Sequence, residues 1–340
     1  MHGVLVIDKP AGPTSHDVVA RVRRAIGERA VGHTGTLDPA ATGVLPLVIG
    51  RATRLARFLS AGDKEYDAVI RLGVSTDTRD AAGTAVGPTY RGAMPDRDVI
   101  DSALDAFRGT FLQQPPAFSA KMIDGHRSYK LARATARRAL EAPNTQHGAP
   151  STRHLAPGTL HPAPGTLHQA PGTAPDLPAP VQVTAHAIEL VRVEGDTVTL
   201  SVRCSAGFYV RSLAHDLGER LGTGAHLSAL RRVRSGDFVI AQAVPLTLVE
   251  RDRERAAAAI VPLAGMLPGF ASVVLTEEGA RRAAHGRSLE AGHLASGWPP
   301  GAEWPSTDRP WIRLLTKERD LIGIARLTAS RVLHPSVVLV

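Results

Sequence analysis

Apolar residues recur in this sequence at two periods, in short stretches that alternate along the chain. Residues 66–73 alternate apolar and polar side chains, which predicts a strand with one buried face. Residues 187–193 and 197–204 show the same pattern on either side of Gly195-Asp196 and predict a hairpin. Because the strands are linked mostly by hairpins and interspersed with helical patterns, the sequence favours an α+β fold, with a mixed or antiparallel sheet flanked by helices, over a parallel α/β sheet.

The same patterns place the other elements. The remaining predicted strands cover residues 4–7, 44–49, 272–275, 311–315, 321–327 and 337–340. The predicted helices cover residues 52–59, 96–107, 127–140 and 209–221, together with one that Thr14 or Ser15 caps and Gly27 ends. Residues 30–43 have no periodicity and are predicted to form a loop.

One segment is too poor in large apolar residues to join a packed core. Residues 143–180 contain the near-repeats APGTLHP, APGTLHQ and APGTAPD, a composition that predicts a disordered insertion. Expansion of the repeat, which we favour, or a metal site would account for its regularly spaced histidines, His147, His154, His161 and His168. We predict a catalytic domain over residues 1–250 that carries this insertion, a linker over 251–270 and a small β-rich domain over 271–340.

The chain has a formal net charge of +8 and a pI of about 10.2. This excess favours a polyanionic partner, because a protein that neutralises phosphates releases bound counterions. Cys204 is the sole cysteine, which excludes an internal disulfide and a thiolate zinc cluster. The first residues lack the pattern of a signal peptide, and no stretch approaches the roughly 18 apolar residues of a membrane span. We therefore expect a cytoplasmic protein without membrane contact.

Residues 32–43, GHTGTLDPAATG, are the stretch that bears most directly on function. Its glycines let a ligand approach the backbone closely. The proline after Asp38 holds that residue extended, so its carboxylate can project from the loop. An Asp-Pro pair in a glycine-rich loop is by itself more often a turn than a catalytic site, so the surrounding sequence has to decide.

The surrounding sequence consists of segments that belong together. The loop continues as GHTGTLDPAATGVLPLVIGRATRL, and the chain also contains GVLVIDKPAGPTSHDVVARVRR, KEYDAVIRLGVSTDTRDAAG, QQPPAFSAKMIDGHRSYKLAR and CSAGFYVRSLAHDLGERLGTGAHLSALRR. In this order these segments resemble the TruB family of tRNA pseudouridine synthases. They cover most of residues 3–135 and 181–235, and the loop segment is similar to the motif that carries the family's catalytic aspartate.

The resemblance implies that Asp38 is the nucleophile, which attacks either the ribose C1′ or the uracil C6 of the target uridine. Either route breaks the C1′–N1 bond, after which the base rotates and is rejoined through C5, so no cofactor and no metal are needed. The resemblance also implies that Tyr66 is a catalytic residue, which stacks on the target base and assists in the removal of the proton. Arg211, which lies off the apolar stripe of its predicted helix, is implied to pair with Asp38 and keep it ionised.

Further residues match positions that contact the nucleotide. The resemblance implies substrate binding by His33, Tyr66, Tyr209 and Leu230. His33 is suited to fill the space that an extruded uridine leaves in its stack. Asp77 and Asp80 lie in a matching segment, without an assigned role. Six arginines are either phosphate contacts or solvated surface charges: Arg51, Arg54, Arg57, Arg231, Arg232 and Arg234.

The resemblance therefore implies an isomerase that converts uridine-55 in the T-arm stem-loop of tRNA into pseudouridine, with a PUA-like RNA-binding domain after residue 270. We expect a monomer that needs no obligate protein partner. Two alternatives stay open: the same reaction on another RNA, and a non-catalytic RNA-binding or tRNA-folding protein. A pure RNA-binding protein would need none of Asp38, Tyr66 and Arg211.

Overall fold

The computed structural model describes residues 1–117, 122–123, 126–127, 178–297, 310–328 and 332–340. The α-helices in this part of the chain are α1 (Ser15–Ile26), α2 (Ala56–Ser60), α3 (Arg97–Leu104), α4 (Val210–Leu221), α5 (Leu246–Arg251), α6 (Arg253–Ala258) and α7 (Glu277–Ala284). The strands are β1 (Gly3–Lys9), β2 (Val31–His33), β3 (Thr42–Ile49), β4 (Lys64–Leu72), β5 (Ser75–Thr76), β6 (Ala85–Val86), β7 (Gly109–Gln113), β8 (Met122–Ile123), β9 (His126–Arg127), β10 (Val181–Glu194), β11 (Thr197–Cys204), β12 (Ala225–Ser235), β13 (Phe238–Val239), β14 (Val244–Pro245), β15 (Val261–Pro262), β16 (Ala271–Leu275), β17 (Leu294–Ser296), β18 (Trp311–Leu315), β19 (Leu321–Leu327) and β20 (Leu333–Val338).

The chain divides into two compact units. The larger unit comprises Met1–Gln113 and Val181–Val340, and the smaller one Gln114–Pro180. Within the smaller unit β8 pairs antiparallel with β9. The predicted helix over 127–140 and the histidines of the insertion lie outside the described residues.

The main sheet of the larger unit contains both parallel and antiparallel pairs. Its strands hydrogen bond in the order β14-β1-β3-β12-β4-β11-β10-β7, with β15, β2 and β13 paired to β1, β3 and β12. The pairs β1/β14 and β3/β12 are parallel, whereas β4 is antiparallel to both of its neighbours, β12 and β11. The predicted α+β fold with a mixed sheet is confirmed.

Strand β1 shows that this sheet is buried on both faces. Leu5 and Ile7 belong to a cluster that also holds the apolar stripes of α1, α3 and α4. Val4 and Val6 belong to a second cluster on the opposite face, because successive side chains of a strand point to opposite sides. The second cluster includes residues from the C-terminal part of the chain: Met266, Leu267, Leu315, Leu321, Ile324 and Leu339.

The C-terminal residues form a separate sheet in the order β17-β16-β18-β19-β20. Ile312, Leu314 and Ile322 face a third cluster, to which Ala283 of α7 contributes. The predicted β-rich C-terminal segment is confirmed. The division into a catalytic domain, a linker and a C-terminal domain stays a prediction.

Removal of residues 266–340 is expected to leave a chain that does not stay folded. The cut uncovers the second cluster's face of the main sheet, including Val4, Val6, Val44 and Val48, which are buried. Exposing four valines costs roughly 6–12 kcal/mol at about 1.5–3 kcal/mol each, which rivals the total stability of a typical protein. Soluble yield and the thermal unfolding curve of the truncated chain measure this. A soluble truncated chain with an unchanged transition would contradict the expectation.

Several local predictions are confirmed and a few need correction. Thr14 caps α1, and Gly27 ends it in the left-handed conformation. The predicted loop over 30–43 contains a short strand, β2, because its backbone extends the edge of β3. The last predicted strand, 337–340, lies earlier, at β20, and β17 was not predicted since its three residues are too few for a pattern.

Candidate active site

Asp38 lies in the loop between β2 and β3 and presents its carboxylate at the surface. Its side chain is 43% exposed, although the strands on both sides of the loop belong to the main sheet. The Ala41 N–H donates to the Asp38 carbonyl at 3.1 Å, and the Gly12 N–H donates to the Pro39 carbonyl at 2.9 Å. These bonds close the loop into a turn, so the position of the carboxylate is set by the backbone.

The loop is held from below by the buried ammonium group of Lys9. Its Nζ donates to the carbonyl oxygens of Pro10 at 2.9 Å, Pro39 at 3.1 Å and Ala41 at 2.8 Å. Burial lowers the pKa of Lys9 to about 8, and the nearby charge of Asp38 acts in the opposite direction. Lys9 therefore ties the backbone on both sides of the Asp38-Pro39 turn to β1.

Lys9→Met is expected to loosen this turn. The variant keeps most of the side chain's volume but leaves buried carbonyls without a donor, at about 1–3 kcal/mol for such a group. We expect a melting temperature several degrees lower and a reduced kcat. Lys317→Met is the matched control. The Lys317 side chain is 57% exposed, and its ion pair with Glu277 is long, at 3.7 Å. Equal melting temperatures for the two variants would contradict the role of Lys9.

Two more buried side chains hold the same loop. The Ser15 hydroxyl donates to the Leu37 carbonyl at 2.9 Å and accepts from the Leu37 N–H at 2.8 Å. The Arg232 guanidinium donates to the carbonyls of Val44 at 2.7 Å and Gly35 at 3.1 Å. The sequence predicts that Arg232 is a phosphate contact or a surface charge. This prediction is wrong, because the side chain is buried beneath the loop.

Arg211 pairs directly with Asp38. Its Nε lies 3.0 Å from the Asp38 Oδ2, and its side chain is only 7% exposed. Its Nη1 donates to the Thr78 carbonyl at 3.1 Å and lies 3.6 Å from the Asp80 Oδ2. The guanidinium is thus fixed from one side by the turn that holds Thr78 and Asp80, and from the other it meets the exposed carboxylate.

The turn behind Arg211 is itself ordered by side-chain hydrogen bonds. The Asp80 Oδ1 accepts from the Thr78 hydroxyl at 2.6 Å and from the Ala82 N–H at 3.1 Å. Arg79 adopts a positive φ of 63° and donates to the Ser212 hydroxyl at 2.8 Å. Asp80, to which the sequence assigned no role, is therefore a member of the site. The segment has no periodicity that would have distinguished it from Asp77.

Tyr66 lies on β4 and is buried with the other apolar residues of that face. Burial raises its pKa, with Arg232 acting against the shift, so the phenol stays protonated at neutral pH. The charges of both Arg232 and Asp38 act on Tyr66. Tyr66 and Arg232 are also paired across β4 and β12. The predicted tyrosine therefore lies beside the same loop as Asp38.

The predicted nucleotide contacts lie on separate elements of the fold. The Tyr209 backbone, just before α4, is clamped by the Gln113 amide, which donates to its carbonyl at 3.0 Å and accepts from its N–H at 2.8 Å. His33, at the end of β2, packs edge to face against His16 of α1 with ring centroids 5.3 Å apart. Leu230 is half-buried on β12, and its carbonyl accepts from the Thr42 hydroxyl at 3.4 Å.

The other arginines that are predicted to contact phosphate differ in their partners and in their exposure. Arg231 forms a bidentate pair with Asp8, at 3.1 and 2.9 Å. Arg234 pairs with Glu65 at 3.2 Å, and Arg54 donates to the Val338 carbonyl at 2.6 Å. Arg51 and Arg57 are exposed. A role in binding phosphate stays a prediction for these five.

The described residues contain no group of three or more His, Cys, Asp or Glu side chains arranged to hold a metal ion. No helix among them has both the length and the apolar character needed to cross a membrane.

Known families match this chain in two places. Residues 23–146 match the model of the TruB family pseudouridylate synthase N-terminal domain, and residues 211–267 match that of the tRNA pseudouridylate synthase B C-terminal domain. A tRNA pseudouridine synthase B of Solibacter usitatus (strain Ellin6076) is 39% identical over 341 residues, which covers 100% of both proteins. One of Gloeobacter violaceus (strain ATCC 29082 / PCC 7421) is 43% identical over 266 residues, 78% of this chain and 77% of that protein.

Solved structures are similar to the chain at the level of fold. An H/ACA RNP bound to a substrate RNA containing 2′-deoxyuridine includes a chain with a TM-score of 0.65 and 23% identity. A Cbf5-Nop10-Gar1 complex includes one with a TM-score of 0.65 and 24% identity. Each match covers 100% of this chain and 85% of the other. At this identity the likeness shows the fold alone.

Proposed function

The chain belongs to the TruB family of pseudouridine synthases, and on that premise we propose that it converts the T-arm uridine of tRNA, position 55, into pseudouridine with Asp38 as the nucleophile. Its activity is the isomerisation of uridine in tRNA, the one named for its relatives. One observation carries the proposal for the site. The buried Arg211 side chain pairs with the Asp38 carboxylate, which is itself open to solvent.

That arrangement suits a carboxylate nucleophile. The Arg211 guanidinium lies 3.0 Å from the Asp38 carboxylate and compensates its negative charge. The exposed part of the carboxylate is left to attack C1′ of the ribose or C6 of the uracil. Covalent attachment divides one difficult cleavage of the C1′–N1 bond into two easier steps. The base then rotates, its C5 bonds to C1′, and the bond to Asp38 breaks, which regenerates the carboxylate. The C5 proton is lost to solvent, and N1 takes up a proton.

Tyr66 and the surrounding residues act in this proposal by position. The ring of Tyr66 supports the base as it turns, and its raised pKa keeps the phenol neutral, so it adds no charge beside Asp38. Tyr209 is placed by the Gln113 clamp, just before the helix that carries Arg211. His33 and Leu230 complete the proposed contacts to the nucleotide. No step requires a metal or a cofactor.

Tritium release from tRNA labelled at C5 of uridine tests the reaction, because only isomerisation frees that hydrogen. Mapping the modified position in the product then tests the T-arm assignment. Modification of a different uridine would contradict the T-arm assignment, and binding without release would indicate a non-catalytic RNA-binding protein.

We further propose that the chain acts as a monomer in the cytoplasm, without an obligate protein partner. Its formal charge of +8 supports binding to RNA. Sedimentation with and without tRNA measures the number of chains in the complex, and two chains per tRNA would contradict the proposed monomer.

A further inference from the structure

A cavity of about 640 Å³ is lined by no residue of the Asp38 loop. Its wall combines aromatic rings, one arginine and residues with small side chains: Arg57, Phe58, Ser235, Gly269, Phe270 and Trp311. The first two come from α2, Ser235 ends β12, and Trp311 begins β18. Residues of both the main sheet and the C-terminal sheet of the larger unit therefore line the cavity.

The rings and the arginine pack against one another. Phe58 packs edge to face against Phe270 and against Trp311, with centroids 5.8 and 5.0 Å apart. The guanidinium carbon of Arg57 lies 4.5 Å from the Phe58 ring and 5.2 Å from the Trp311 ring. Arg57 itself is exposed. A guanidinium plane held on aromatic rings and open to solvent is a surface on which a nucleobase stacks.

Two acidic residues, Asp63 and Asp237, also line the cavity. Their negative charge disfavours a phosphate inside it, whereas carboxylates accept readily from the amino groups of bases.

We propose that this cavity takes an unpaired nucleobase of the RNA substrate, stacked on Arg57. The proposal rests on the proposed function only in taking RNA as the substrate. Ser235 pairs with Lys64 of β4, two residues from Tyr66, a separation of about 7 Å along the strand. The bound base is therefore a neighbour of the active site and distinct from the target uridine.

Two glycine variants test the cavity without straining the backbone. A Cβ added at Gly269 or at Gly292 meets nothing within 4 Å, and neither residue has a positive φ. Gly269 lines the cavity and Gly292 does not. Gly269→Leu should place a side chain at the stacking surface, while Gly292→Leu is the matched control.

The probe is a short fluorescent oligoadenylate, compared by anisotropy with an abasic strand of the same length. We expect wild type and Gly292→Leu to bind the oligoadenylate at least tenfold more tightly than the abasic strand. Gly269→Leu and Arg57→Gln should lose most of that difference. Equal binding of both strands by the wild type, or an unchanged difference in Gly269→Leu, would overturn the proposal.

The outcome is separable from the reaction itself. Asp38→Asn should retain the full preference for the oligoadenylate, because Asp38 does not line the cavity. A wild-type chain that shows this preference but releases no tritium from tRNA would contradict the proposed function and leave the cavity's role standing. Tritium release by a wild-type chain that binds both strands equally would contradict the role of the cavity and leave the proposed function standing.

Discussion

Asp38→Asn is expected to bind tRNA as wild type does and to lose at least about a thousandfold of turnover, which corresponds to roughly 4 kcal/mol of barrier. The amide has nearly the same size as the carboxylate, and the backbone bonds that close the loop do not involve the side chain. Arg211 keeps its bond to Thr78 and its contact with Asp80. The variant therefore removes the nucleophile and little else.

Asp77→Asn is the matched control for this experiment. Asp77 is an exposed carboxylate of the turn behind Arg211, and its Oδ1 accepts from the Thr84 N–H at 2.8 Å. Single-turnover tritium release and tRNA affinity are measured for both variants. More than a tenth of the wild-type rate in Asp38→Asn would show that another group is the nucleophile.

The sequence predicted elements whose pattern is local. The alternation that begins at Tyr66 predicted β4, and Gly222, in the left-handed conformation, ends α4 where the apolar stripe ends. The position of Arg211 off that stripe suggested that it faces a site, and the structure shows it against Asp38. These predictions succeeded because capping and periodicity are set by neighbours in the chain.

The hydrogen bonds that hold the Asp38 loop from below could not be predicted from such local patterns. Lys9 reads as a surface lysine before a turn, and only the pairing of β1 with β3 carries it beneath the loop. Arg232 looked like one of several arginines, yet it is buried by the parallel pairing of β12 with β3. Contacts between residues about 30 and about 190 positions apart leave no periodic signal in one sequence.

Arg211→Met is expected to lower kcat by about a hundredfold, roughly 2.7 kcal/mol, with a smaller effect on tRNA affinity. Asp38 and Asp80 would then lie near each other without the cation that both contact, so the negative charge of the nucleophile would no longer be compensated. Arg211→Lys should recover part of the rate, since it restores the charge without the planar fork.

Arg220→Met is the control for this series, because Arg220 lies in the last turn of the same helix and is exposed. Its kcat should equal that of the wild type. Losing a buried arginine also costs stability, so all rates are compared well below the melting temperature of each variant. A kcat that Arg211→Lys does not raise above that of Arg211→Met would mean that Arg211 supports the fold of the site without acting through its charge on Asp38. That result would remove the ion pair from the mechanism and leave the nucleophile assignment to Asp38→Asn alone.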